Sequence, residues 1–182
     1  MSIKVGINGF GRMGRLGLRA GWGFDQLEIV HINEIASDAA GSAHLLTFDS
    51  VHGTWGRDCH GENGELFVDA KGIGYTGNTT IGETDWSGCD IVIEATGRHH
   101  KKPESLQAYF DQGVKKVVVA APTEGALNIV YGINDHLYEP DAHHLVTAAS
   151  CTTNCLAPVI KVIHEKIGIV HGCMTTIHDI TN

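Results

Sequence analysis

Apolar positions along the first two-thirds of the chain change period repeatedly. Short runs that are apolar throughout or at every second position predict β-strands at Lys4–Asn8, Glu28–Asn33, Ile91–Glu94, Lys116–Ala120, Ile129–Tyr131 and His144–Thr147. Between them, three- and four-residue spacing predicts helices over Arg12 to about Ala20, Ala39 to Thr47 and Glu104 to Gln112. Pro103 before the last of these and Gly113 after it mark its start and stop. Strands alternating with helices imply an α/β protein with a doubly wound, mostly parallel sheet of the Rossmann-like kind. From His52 to Trp86 the chain is Gly-rich. Leu66-Phe67-Val68 and Ile73-Gly74-Tyr75 are short enough for a hairpin excursion or an antiparallel edge. Beyond Ser150, the apolar set Leu156, Val159, Ile160, Val162 and Ile163 predicts a helix from Cys151 to about Lys166, then a strand over Ile169–Ile180.

Two motifs sit where strands turn into helices. The first is Gly9-Phe10-Gly11-Arg12-Met13-Gly14, after the first strand. In a βαβ unit the first glycine permits a tight turn and the second lets a pyrophosphate approach the backbone. The third lets helix pack on strand, and amides at the helix start hold the anion. Glycine patterns are weak evidence in a chain with 23 Gly, but here the second strand ends in Asn33-Glu34. An acid about twenty residues beyond the glycines can accept hydrogen bonds from an adenosine ribose. The second motif is Ala149-Ser150-Cys151-Thr152-Thr153-Asn154-Cys155, with Thr175-Thr176-Ile177-His178 in the following strand-like run. A thiol becomes a nucleophile beside a helix N-terminus or an imidazole. A small apolar residue opening a core helix would present the same Cys151.

Composition narrows the classes. Hydrophobic residues make up 42% of the 182 positions, as in a globular domain. A formal charge of −8 argues against nucleic acid or an anionic membrane as partner. No apolar run is long enough to span a bilayer and no signal-peptide pattern precedes the first strand. Five scattered cysteines are an odd number, expected as free thiols in a reducing cytoplasm. Cys151 and Cys155 find no second ligand pair at metal-binding spacing, and among twelve histidines only His178 combines a strand context with a chemical partner, so no metal is expected.

Taken together, Ile7-Asn8-Gly9-Phe10-Gly11-Arg12, Phe48-Asp49-Ser50-Val51-His52-Gly53, Glu94-Ala95-Thr96-Gly97, the cysteine motif through Pro158, and Met174-Thr175-Thr176-Ile177-His178 resemble the glyceraldehyde-3-phosphate dehydrogenase family. The resemblance covers essentially the whole chain. It implies NAD as cofactor, with Gly9, Gly11, Arg12, Met13, Gly14, Glu34, Thr96 and Gly97 at cofactor-contacting positions. Cys151 would be the nucleophile and His178 its base. Ser150, Thr152 and Thr181 would help bind the phosphate of a phosphorylated aldehyde or the attacking inorganic phosphate. It further implies residues 1–150 as an NAD-binding Rossmann domain, 151–182 as the incomplete beginning of an α+β catalytic domain, and a homotetramer at full length. On that basis the chain reads as an N-terminal half, inactive alone, whose basic substrate clamps lie elsewhere.

Several positions depart from the family pattern. Asn33-Glu34 stands where Asn-Asp is more usual; an erythrose-4-phosphate dehydrogenase branch also carries Asn-Glu, which leaves that activity as an alternative. Ala120-Ala121-Pro122 lacks a common serine, and Arg98-His99-His100 replaces an aromatic-containing loop. The combination of Asn33-Glu34-Ile35, Thr147-Ala148-Ala149-Ser150 and His178-Asp179-Ile180-Thr181-Asn182 resembles a paralogue linked to arsenic resistance that uses arsenate in place of phosphate. A non-catalytic NAD-binding fragment is the remaining alternative.

Overall fold

The computed structural model describes residues 2–178. Its centre is β1 (Ile3–Asn8), which pairs in parallel with β2 (Leu27–Asn33) across the helix α1 (Arg12–Gly21). After β2 come α2 (Ala39–Thr47) and a small two-stranded ribbon, β3 (Phe48–Asp49) and β4 (Gly53–Thr54). Next is an antiparallel meander of β5 (Cys59–Glu62), β6 (Glu65–Val68) and β7 (Lys71–Thr76), whose last strand returns parallel to β2. The excursion foreseen over His52–Trp86 is therefore an antiparallel edge. Its first hairpin turns on Asn63 and Gly64, at φ of 50° and 79°, the left-handed pair that a two-residue turn of this hand requires.

The chain then crosses to the other side of β1. β8 (Ile91–Glu94) pairs with β1 in parallel, followed outward by β9 (Lys116–Val119), β11 (Leu145–Thr147) and β10 (Leu127–Asn128). The nine-stranded order β10-β11-β9-β8-β1-β2-β7-β6-β5 reverses direction between β1 and β8. Ligands of doubly wound sheets bind at such a switch point, beyond the carboxyl ends of the strands.

The two faces of the sheet carry separate cores. Val5 and Ile7 point to one, with Phe10, Leu18, Ile32 and Leu46. Gly6, between them, faces the other core, where a Cβ would stand 2.8 Å from the Trp86 ring. That ring is fully buried with Val92, Tyr109 and Val117, and its indole N–H donates to the Ile81 carbonyl at 3.1 Å.

Three predicted elements differ. The helix expected over Glu104–Gln112 is a 3₁₀ turn, Pro103–Leu106, running into one α-turn, α3 (Gln107–Phe110), which buries Leu106 and Tyr109 three residues apart. The strand expected at Ile129–Tyr131 lies earlier, as β10. The Asn134 side chain accepts from the Val130 N–H at 2.7 Å and bends the chain there, leaving Tyr131 exposed. α4 (Cys151–Lys166) forms as expected, but residues 169–178 form no strand, because no partner strand meets them among the described residues. The rest of that predicted strand, Asp179 and Ile180, lies outside the described residues.

Candidate active site

The glycine loop between β1 and α1 gives each glycine a different surrounding. Gly9 has φ +88°, and a Cβ there would collide with the backbone of Ala95 and Thr96. A Cβ on Gly14 would collide with the Gly9 carbonyl oxygen, so the third glycine sets how closely α1 approaches the strand end. Gly11 has nothing within 4 Å of that position and stands at the open mouth of the loop. It is also the N-cap of α1 and supplies no side-chain cap, so the first-turn amides of the helix are left for an outside acceptor. Free amides at a helix start, before an open space, fit the pyrophosphate of a dinucleotide.

Beside this loop is a cleft of about 210 Å³ lined by Asn8, Gly9, Gly11, Glu34, Ile35, Asn78, Thr96 and Arg98, among others. Glu34 forms part of its rim. The Phe10 N–H donates to its Oε2 and the Ala36 N–H to its Oε1, both at 2.7 Å. A carboxylate has about four acceptor sites, so two remain for a ribose. Arg12 does not reach freely into the cleft: its guanidinium is held bidentately by Asp49, at 2.8 and 3.3 Å. Met13 is more than half exposed and borders a smaller hollow with Gly97, His100 and Ala120. The Thr96 hydroxyl turns inward, donating to Glu94 and accepting from the Arg98 N–H, while Gly97 takes φ +70° in the same turn.

The cysteine lies on the other side of the switch. β11 leads through Ala149, at φ +55°, to Ser150, whose hydroxyl accepts from the Thr153 N–H at 3.0 Å and caps α4. Cys151 is the first residue of that helix and is exposed. It shares a cleft of about 450 Å³ with Thr152, Cys155, Leu156, Val159 and residues 174–178. His178 enters from the far wall, its Nε2 3.4 Å from the Thr152 hydroxyl oxygen. The cleft holds thiol and imidazole together without a hydrogen bond between them. Ser150 is occupied as a cap, Thr152 faces the imidazole, and Thr181 lies outside the described residues.

Sequence reasoning left out the side chains beneath the cofactor cleft, Asn8, Asn33, Glu94 and Tyr109. Polar residues at three consecutive strand ends were the available signal. Among the described residues no group of three or more His, Cys, Asp or Glu side chains is arranged to hold a metal ion. Nor is any described helix long and apolar enough to cross a membrane.

A doubly wound sheet with an open glycine loop at its switch point defines a dinucleotide-binding α/β protein, here with an exposed thiol opening a helix past the last parallel strand. Residues 3–102 match the family model for the glyceraldehyde 3-phosphate dehydrogenase NAD binding domain, and residues 150–182 match that for the C-terminal domain of the same family. The chain is 55% identical over 185 aligned residues to glyceraldehyde-3-phosphate dehydrogenase 3 of a Nostoc species, covering 100% of this chain and 55% of that protein. It is 44% identical over 185 residues to glyceraldehyde-3-phosphate dehydrogenase of Geobacillus stearothermophilus, with the same coverage. It is also 44% identical over 180 residues to the cytosolic enzyme of Gracilaria gracilis, covering 98% and 53%. The chain belongs to the glyceraldehyde-3-phosphate dehydrogenase family, and NAD is the cofactor of its dinucleotide-binding domain. It spans about half the length of the curated relatives it matches.

Proposed function

We propose that this chain supplies the cofactor domain, residues 1–150, and the nucleophile-bearing start of the catalytic domain, 151–182, of an NAD-dependent phosphorylating glyceraldehyde-3-phosphate dehydrogenase. The observation that carries the reading is Cys151, exposed in the first turn of α4 and sharing a cleft with His178. In this reading the His178 imidazole takes the thiol proton as the sulfur attacks. The Cys151 sulfur attacks the aldehyde carbon, a C–S bond forms and the carbonyl oxygen gains a proton held by His178, giving a thiohemiacetal. NAD, when bound, supplies the hydride acceptor. The proton of the hydroxyl returns to His178 and a thioester is left on Cys151. An oxygen of inorganic phosphate then attacks the acyl carbon, and the Cys151 thiolate leaves as an acyl phosphate forms.

Thr152 and Thr181 would bind the phosphate groups, with Ser150 fixing the turn that presents them. Arsenate could take the place of inorganic phosphate at the last step. A cytoplasmic homotetramer is the assembly we propose for the whole protein, in keeping with five free thiols. Glu34 makes NAD the preferred cofactor, because a 2′-phosphate would meet its carboxylate.

One observation favours a narrower role for the 182 residues alone. α4 buries no residue, and among the described residues 169–178 form no strand and are all exposed, so the wall of the Cys151 cleft opposite α4 has no sheet behind it. Residues 1–182 should therefore bind NAD and turn over no aldehyde. Fused to the remaining half of the Geobacillus relative, they should form NADH with glyceraldehyde 3-phosphate and phosphate or arsenate. Cys151→Ser should abolish that activity, and Glu34→Ser should narrow an NAD preference of about tenfold or more, the equivalent of ~1.4 kcal/mol. A fusion whose activity survives Cys151→Ser would refute the proposed nucleophile.

A further inference from the structure

Beneath the cofactor cleft lies a carboxylate with no part in the chemistry above. Glu94 ends β8, is 2% exposed, and has no cation within salt-bridge distance among the described residues. Four donors meet it instead. The Tyr109 hydroxyl donates to Oε2 at 2.6 Å and the Asn8 amide to the same oxygen at 3.2 Å. The Thr96 N–H donates to Oε1 at 2.9 Å, and the Thr96 hydroxyl to the same atom. A buried carboxylate without a countercharge is tolerated when its acceptor sites are filled in this way. Burial, and then the negative charge of Glu94, push the Tyr109 phenol far above its ordinary pKa, so it remains a donor at any working pH.

The network continues sideways under the strand ends. Asn8 Oδ1 accepts from Asn33 Nδ2 at 2.9 Å, and Asn33 Nδ2 donates also to the Asn78 carbonyl at 2.9 Å. Asn33 Oδ1 accepts from the Asn78 N–H and the Thr76 hydroxyl, both at 2.8 Å. One connected set of bonds thus underlies three walls of the cleft: the Gly9 loop after β1, the Thr96 loop after β8, and Asn78–Thr79 after β7. The first two walls meet closely at Gly9, where a Cβ would collide with the backbone of Ala95 and Thr96.

We propose that Glu94 is a positioning residue for NAD binding, holding the Ala95–Gly97 turn against Gly9 so that the cleft is set to dinucleotide width before the cofactor arrives. The proposal rests on the NAD-binding reading and deepens it. Glu94 touches no cofactor; it acts through Thr96 and Asn8.

The test uses residues 1–182 and their variants E94Q, T96V, Y109F and E94Q/T96V. In E94Q an amide donor replaces an acceptor opposite donors that already point at it. The turn is then no longer held against Gly9, and the Kd for NAD should rise about tenfold or more, the equivalent of ~1.4 kcal/mol. T96V should weaken binding as well, and the double variant should fall well short of the product of the two single effects, because both act on one turn. A role confined to core stability would lower the denaturation midpoint and leave Kd, measured well below it, unchanged. Amide exchange without NAD supplies a second reading: E94Q should speed exchange at Thr96 and leave Leu66 and Ile73 as they are. Unchanged Kd and unchanged Thr96 exchange in folded E94Q would overturn the proposal. Should E94Q fail to fold, Y109F gives the same two readings, since it keeps the ring packed 5.6 Å from Trp86. Loss of all NAD binding in the unsubstituted chain would count against the cofactor reading, while exchange at Thr96 would still decide the role of Glu94.

Discussion

Five thiols share one chain, and their surroundings divide them. Burial raises the Cys59 thiol, and it pushes Cys89 up to about 11 with help from the charges of Asp85 and Asp90. Neither is a nucleophile at neutral pH. Cys151, Cys155 and Cys173 are exposed, but only Cys151 combines the first turn of α4 with a cleft that also holds His178. Alkylation by iodoacetamide, followed at each site by peptide mass spectrometry across pH 6 to 9, should modify Cys151 first and Cys89 last. His178→Asn should slow Cys151 several-fold and leave Cys155 unaffected. Equal rates at the three exposed thiols would reduce Cys151 to a surface residue like its neighbours. The cysteine and glycine motifs were legible in the sequence because their spacing is local. Glu94 was not: it reads as the acid ending one strand, and its meaning comes from Asn8 and Tyr109, 86 and 15 residues away.

At the scale of elements, one ion pair fixes the start of α1 against the β3–β4 ribbon. Asp49 accepts from the His52 and Val51 amides at 2.8 and 2.9 Å and grips Arg12 bidentately. The two amides, and then the guanidinium, hold its carboxyl well below the usual carboxylate range. A carboxyl depressed in the folded state contributes stability above its unfolded pKa, near 3.8, and loses that contribution as pH falls below it. Asp49→Asn should therefore be less stable than the parent at pH 7, with the gap closing between about pH 4 and pH 2 in urea titrations. A gap constant through that window would mean that Asp49 matters for shape alone. Elements formed by local pattern were predicted well: Ile91–Glu94 and Ala39–Thr47 have the bounds their periodicity gave. Where a neighbour decides, the pattern failed. The strand expected at Ile129–Tyr131 gave way to the Asn134 turn, and residues 169–178 have strand periodicity but no partner strand among the described residues.

The molecule as a whole has a closed side and an open side. Both cores are complete between Val5 and Val119, whereas α4 leaves Val159, Ile160, Val162 and Ile163 between 41% and 60% exposed. Apolar surface of this kind drives association. In sedimentation velocity, residues 1–182 should show concentration-dependent self-association. Val159→Lys together with Val162→Glu should shift the boundary to monomer without changing the denaturation midpoint of the cofactor domain. Association untouched by these changes would place the sticky surface elsewhere. The network beneath the cofactor cleft carries a different consequence, for the order of events as the chain folds. Asn8 must find partners 25, 86 and 101 residues along the chain before the three walls are in register. Closing loops of that length is the slow part of building a sheet from its middle outward. A nascent chain that has made β1, α1 and β2 already owns every glycine of its phosphate loop, yet it has no cleft until Tyr109 has emerged and β8 has seated beside β1. Cofactor capture thus waits for the crossover to β8, while β9, β10 and β11 are still to be added at the edge.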